Sequence, residues 1–106
     1  MTVPRVVAYV PDLMDRSRLA GVDGLVFVSS PAALAEAATG AEVVVVDLAR
    51  PGVLEALAGL ADLGGVRTIG FGSHVDHELL ASAAAAGCQK VLPRSRFFAS
   101  VAELLG

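Results

Sequence analysis

Two hydrophobic periods alternate along the chain. Arg5 to Val10 is an unbroken apolar, β-branched run, short enough to be a buried strand, and Pro11 ends it. Met14 to Ala20 leaves room for about two helical turns before Gly21. Leu25 to Val28 predicts a second strand. Ser29-Ser30-Pro31 then has the form of a helix start, a hydroxyl cap ahead of a first-turn proline, and the alanine-rich segment that follows runs to Gly40. Glu42 to Leu48 carries four consecutive valines, which predicts a strand covered on both faces, as in a parallel sheet. Gly52 to Leu63 places Val53, Leu57 and Leu60 on one helical face, and Gly64-Gly65 stops it. Val66 to Phe71 predicts a fourth strand. Ser73 is the expected cap of the next helix, with Asp76 completing a capping box, and that helix ends at Gly87. Lys90 to Leu92 is a short fifth strand. Phe97, Val101, Leu104 and Leu105 form one face of a closing helix.

This alternation predicts an α/β fold of (βα)5 form. The expected architecture is a doubly wound parallel sheet, a three-layer sandwich with strand order 2-1-3-4-5. In such sheets, chemistry gathers at the carboxyl ends of the strands beside the switch point. That selects Pro11, Asp12, Asp47, Gly72, Ser73 and Arg94.

Asp47 stands out among these. It closes the valine strand and precedes Leu48-Ala49-Arg50-Pro51-Gly52. A carboxylate at the mouth of an apolar strand suits covalent or metal chemistry; equally, aspartate commonly starts a turn. Asp-x-x-x-Pro-Gly after a valine-rich third strand resembles the receiver domain of two-component response regulators. So do Gly72-Ser73-His74-Val75-Asp76 after strand four and Ala86-Gly87-Cys88-Gln89-Lys90-Val91-Leu92 leading into strand five. The resemblance covers nearly the whole chain and implies a flavodoxin-like, receiver-like fold in which Asp47 is the phospho-acceptor position. It also implies a protein-docking surface near Arg96, Phe97 and Phe98.

The chain departs from the receiver pattern around Asp47. Receivers place two adjacent acidic residues after strand one, where hard oxygen ligands hold Mg²⁺. Here the stretch is Val10-Pro11-Asp12, so Asp12 and Asp47 are the two candidate metal ligands and the site is weakened. The switch hydroxyl falls on Gly72, with Ser73 as a neighbouring replacement. The lysine falls on Arg94, whose planar fork differs from a point charge. The expectation is a stand-alone pseudo-receiver, a non-enzymatic signalling and protein-interaction module that does not depend on phosphorylation. No cofactor is expected, Mg²⁺ being the one candidate. The alternatives are a working phospho-acceptor using Asp47, Asp12, Ser73 and Arg94, or a small flavodoxin-like ligand-binding protein or enzyme. With aromatics at only 5%, few rings are present to sandwich a flavin.

Composition narrows the setting. The 106 residues amount to one domain, expected over 1–106. Eleven acidic against eight basic residues give a net charge of −3, which disfavours nucleic-acid binding. No apolar run approaches the ~20 residues of a membrane span, and no signal segment opens the chain, so a cytoplasmic protein is expected. Its partner is expected to be a protein or a second copy in a homodimer, and its output to be made by contact, since the chain stops directly after the last helix.

Three further features have two readings each. His74, Asp76, His77 and Glu78 form either a zinc-ligand cluster or the polar first turn of a helix. Cys88 is either a nucleophile or a small buried thiol. Gly70 and Gly72 either admit a ligand or another backbone, or relax the turn.

Overall fold

The computed structural model describes residues 4–105. Five parallel strands form one sheet in the order β2-β1-β3-β4-β5. They are β1 (Val6–Tyr9), β2 (Leu25–Phe27), β3 (Val43–Asp47), β4 (Arg67–Gly72) and β5 (Lys90–Pro93). Helices α1 (Leu13–Leu19), α2 (Leu34–Ala38), α3 (Val53–Leu60) and α4 (His77–Ala85) connect them. The chain closes with α5 (Arg94–Ala99) and α6 (Val101–Leu105). Fold class and strand order are those the sequence predicts.

The valine strand shows why. Val43 and Val45 face one core, with Val6, Ala8, Phe71, Phe97, Leu19 and Leu105, while Val44 and Val46 face the other, with Val7, Leu34, Leu57 and Leu60. All four valines are fully buried. Successive side chains of a strand point to opposite faces, so an all-valine strand needs helices on both sides. The first core is closed by α1, α5 and α6, the second by α2, α3 and α4.

Several boundaries differ from expectation. Ser30 makes no side-chain cap; Pro31–Ala33 form a single 3-10 turn and α2 begins at Leu34. Nor does Ser73 cap α4. That helix starts four residues further on, with Asp76 as its N-cap accepting the Leu79 N–H at 3.2 Å. Ser73 instead closes a local turn, its hydroxyl accepting the Val75 N–H at 3.4 Å. Asp and Ser are comparable caps, so two candidates three residues apart leave the choice to packing. The closing helix is broken at Ser100, whose backbone (φ −120°, ψ 17°) leaves helical geometry.

The two glycines of β4 make room for side chains. A Cβ at Gly70 would stand 2.7 Å from Leu48 Cδ2, and one at Gly72 would stand 3.3 Å from Leu80 Cδ2. What approaches closely is the leucine that follows Asp47. The Pro51-Gly52 pair has a separate cause: Gly52 adopts φ +84° at the start of α3, a left-handed conformation costly for other residues.

Candidate functional site

The carboxyl ends of β3 and β4 and the start of α5 surround a cleft of about 360 Å³. Asp47, Arg50, Phe71, Gly72, Ser73 and Arg94 line it. Three of the four residues that sequence reasoning assigned to the pocket, Asp47, Ser73 and Arg94, therefore meet. Asp12 does not line this cleft.

Asp47 ends β3 with its side chain 8% exposed. Both carboxylate oxygens are engaged. The Ala49 N–H donates to Oδ1 at 3.1 Å, and Arg50 Nε donates to Oδ2 at 3.3 Å. The first bond is the aspartate turn that the sequence allowed; the second is an ion pair three residues along the chain.

Asp12 is the N-cap of α1. Its Oδ1 accepts the N–H groups of Met14 (2.9 Å) and Asp15 (3.1 Å), satisfying two of the free donors of the first turn. The Asp15 N–H does most to hold the Asp12 carboxyl below the usual range. The Met14 N–H and the Arg94 and Arg50 charges act in the same direction, against desolvation.

The residue that sequence reasoning missed is Asp15. It is 1% exposed and forms a forked ion pair with Arg94. Arg94 Nη1 donates to Oδ2 at 2.8 Å and Nη2 donates to Oδ1. Arg94, the position matching the receiver lysine, is thus a clamp joining α5 to α1. Its guanidinium also lies over the rings of Phe71 (5.6 Å) and Phe98 (5.2 Å). Asp15 raises the Arg94 pKa further, first by hydrogen bonding. A signal for Asp15 existed in the sequence. Residues i and i+4 share a helical face, and Leu19 is the buried anchor of α1, so Asp15 points inward.

Most oxygens of these three carboxylates are already engaged. Mg²⁺ takes near-octahedral oxygen ligands around a compact charge. Asp15 is saturated by one guanidinium, Asp47 is paired with another, and Asp12 Oδ1 is committed to the helix backbone. Among the described residues, no three His, Cys, Asp or Glu side chains are grouped so as to hold a metal ion. His74, Asp76, His77 and Glu78 are all exposed in and before the first turn of α4.

The expected interface trio divides. Arg96 is exposed and Phe98 is half-buried, but Phe97 is fully buried and belongs to the core. Its ring stacks on Phe71 at 4.9 Å, and Phe98 packs edge-on against both. Cys88 is a buried thiol, pushed up in pKa by desolvation, with Sγ directed at the backbone carbonyls of Lys90 and Thr68.

No family model matches the chain, and no curated protein does. Solved structures do match. A protein described as pilus assembly-related, from Burkholderia pseudomallei, has a TM-score of 0.72 at 17% identity, covering 99% of this chain and 90% of that one. A protein described as the pilus assembly protein CpaE, from Burkholderia thailandensis, has a TM-score of 0.70 at 16% identity, covering 94% and 95%. The response regulator domain of Thermotoga maritima CheB has a TM-score of 0.73 at 16% identity, covering 98% and 94%. No helix among the described residues is long and apolar enough to cross a membrane. The chain has the fold of a response-regulator receiver domain, with arginine ion pairs on two of its three carboxylates near the switch edge.

Proposed function

We propose that this chain is a receiver-like signalling module that works by docking a protein partner, without phosphorylation of Asp47. One observation carries the reading: Asp47 has both carboxylate oxygens occupied, one by the Ala49 N–H and one by Arg50. Phosphoryl transfer depends on an in-line nucleophile and on cations that neutralise developing charge. Here the nucleophile is tied down, and the neighbouring carboxylate Asp15 is already neutralised by Arg94. The exposed Arg96 and half-buried Phe98 supply the residue types enriched where proteins dock.

A second reading has an observation of its own: Asp47, Ser73 and Arg94 do line one cleft. Under it, Asp47 accepts a phosphoryl group while Ser73 and Arg94 contact its oxygens.

Incubation with acetyl phosphate and Mg²⁺, followed by intact-mass spectrometry, separates the two. The expected spectrum shows only the unmodified chain. A species one phosphoryl group heavier, absent from Asp47→Asn, would overturn the proposal in favour of the second reading.

A further inference from the structure

Beside the cleft, between the starts of α3 and α4, lies a second groove of about 410 Å³. Leu48, Pro51, Leu54 and Leu79 give it apolar walls, and Glu55 and Asp76 stand in its lining. Val75, which precedes Asp76, is 68% exposed. Asp76 commits Oδ1 to the Leu79 N–H. Among the described residues neither Glu55 nor Asp76 has an ion-pair partner. Arg50 also lines the groove, but its charge is answered on the cleft side, where Nε donates to Asp47 Oδ2.

The surroundings carry the same sign. Helices α2, α3 and α4 cover one face of the sheet and contain no Lys or Arg, and each contributes a glutamate: Glu36, Glu55 and Glu78. Asp62, in the loop after α3, adds to them. Arg67 starts β4 and so sits at the opposite edge of the sheet from the groove. The arginines of the helices, Arg16, Arg18, Arg94 and Arg96, all belong to α1 and α5 on the other face.

We propose that this groove docks a basic segment of a protein partner, taking a Lys or Arg side chain with its stem against Leu48, Leu54 and Leu79 and its head between Glu55 and Asp76. Charge complementarity selects this occupant. Long basic side chains lay an apolar stem on apolar surface and keep the charged head in water, so one residue type matches both walls and rim. An acidic segment meets like charge throughout this layer. A purely apolar one strips water from Glu55 and Asp76 without pairing them. The inference rests on the docking reading above and adds to it a partner chemistry, on the opposite face of the sheet from Arg96 and Phe98; it does not depend on the state of Asp47.

Titration with a short amphipathic peptide of Lys and Leu, followed by amide NMR, tests it. The expected shifts centre on residues 48–55 and 76–79. Glu55→Gln combined with Asp76→Asn is expected to weaken binding about three- to tenfold, as the loss of two exposed ion pairs requires. Asn keeps the cap of α4, and the unbound spectrum checks that this variant is folded. Peptides with Glu in place of Lys, or Gly in place of Leu, are expected to leave these residues unshifted. No shift at the groove, shifts spread equally over Glu36, Asp62 and Glu103, or a double variant that binds like the wild type would each overturn the proposal. So would groove shifts that grow with protein concentration without peptide, which would make a second copy the occupant. A chain that binds no peptide and also takes no phosphoryl group from acetyl phosphate loses this docking face and not the reading of Asp47.

Discussion

Arg94→Ala is expected to destabilise the fold by about 3 to 5 kcal/mol, because it leaves the Asp15 carboxylate buried without its partner. That is a large part of the roughly 5 to 15 kcal/mol that holds a domain together. The arginine is 44% exposed on its side chain, so the lower end of the range applies to its own contribution; the cost comes from Asp15, whose side chain is 2% exposed. Arg94→Lys keeps the charge but not the fork, and is expected to recover only part of the loss. Replacing both residues, Asp15→Leu with Arg94→Met, is expected to come close to wild type, because an apolar pair removes the buried charge altogether. Urea denaturation of the wild type, Asp15→Leu, Arg94→Met and the double variant measures the coupling directly. Additive single effects would show that the two side chains act independently and that Arg94 is not a clamp.

Phe97→Ala is expected to cost a similar amount, about 3 to 5 kcal/mol, the usual range for removing a buried aromatic. The ring is fully buried, stacked on Phe71 at 4.9 Å and meeting Phe98 edge-on at 5.0 Å. Its loss also loosens the surface over which Arg94 lies, since Phe71 and Phe98 are the rings beneath that guanidinium. Arg96→Ala, one position earlier and exposed, is expected to change stability by less than about 0.5 kcal/mol. Thermal or urea unfolding of the two variants checks the contrast. A Phe97→Ala protein as stable as Arg96→Ala would mean that the ring faces solvent, as an interface residue would.

The pair of variants also marks the limit of reading adjacent aromatics from a sequence. Phe97 and Phe98 lie about 100° apart around a helix, which tells that one faces inward, without telling that the other tucks against the same cluster through Arg94 and Phe71. The sheet was easier to read. Four valines in β3 can be buried only with helices on both faces, and the glycine and proline punctuation left little choice of connections. Asp47 was legible because the strand delivered it to the edge where such folds keep their chemistry.

Its partners were less so. Arg50 follows three residues later in a loop, where sequence spacing does not fix side-chain direction. Asp15 is separated from Arg94 by most of the chain, and only tertiary packing brings them together. Asp12 is the acidic residue nearest the end of β1, yet its position before a short helix makes it a cap. Its Oδ1 is taken by the N–H groups of Met14 and Asp15.

We propose that this chain combines the receiver fold with a cleft that does not switch. An amide NMR spectrum recorded with Mg²⁺, before and after adding beryllofluoride, tests it most directly, because beryllofluoride mimics a phosphoryl group on an aspartate. The spectrum is expected to stay unchanged, since Asp47 is held by Ala49 and Arg50 and Asp15 is paired with Arg94. Shifts centred on Asp47 and spreading to Ser73 and Arg94 would contradict the account and show a cleft that still responds.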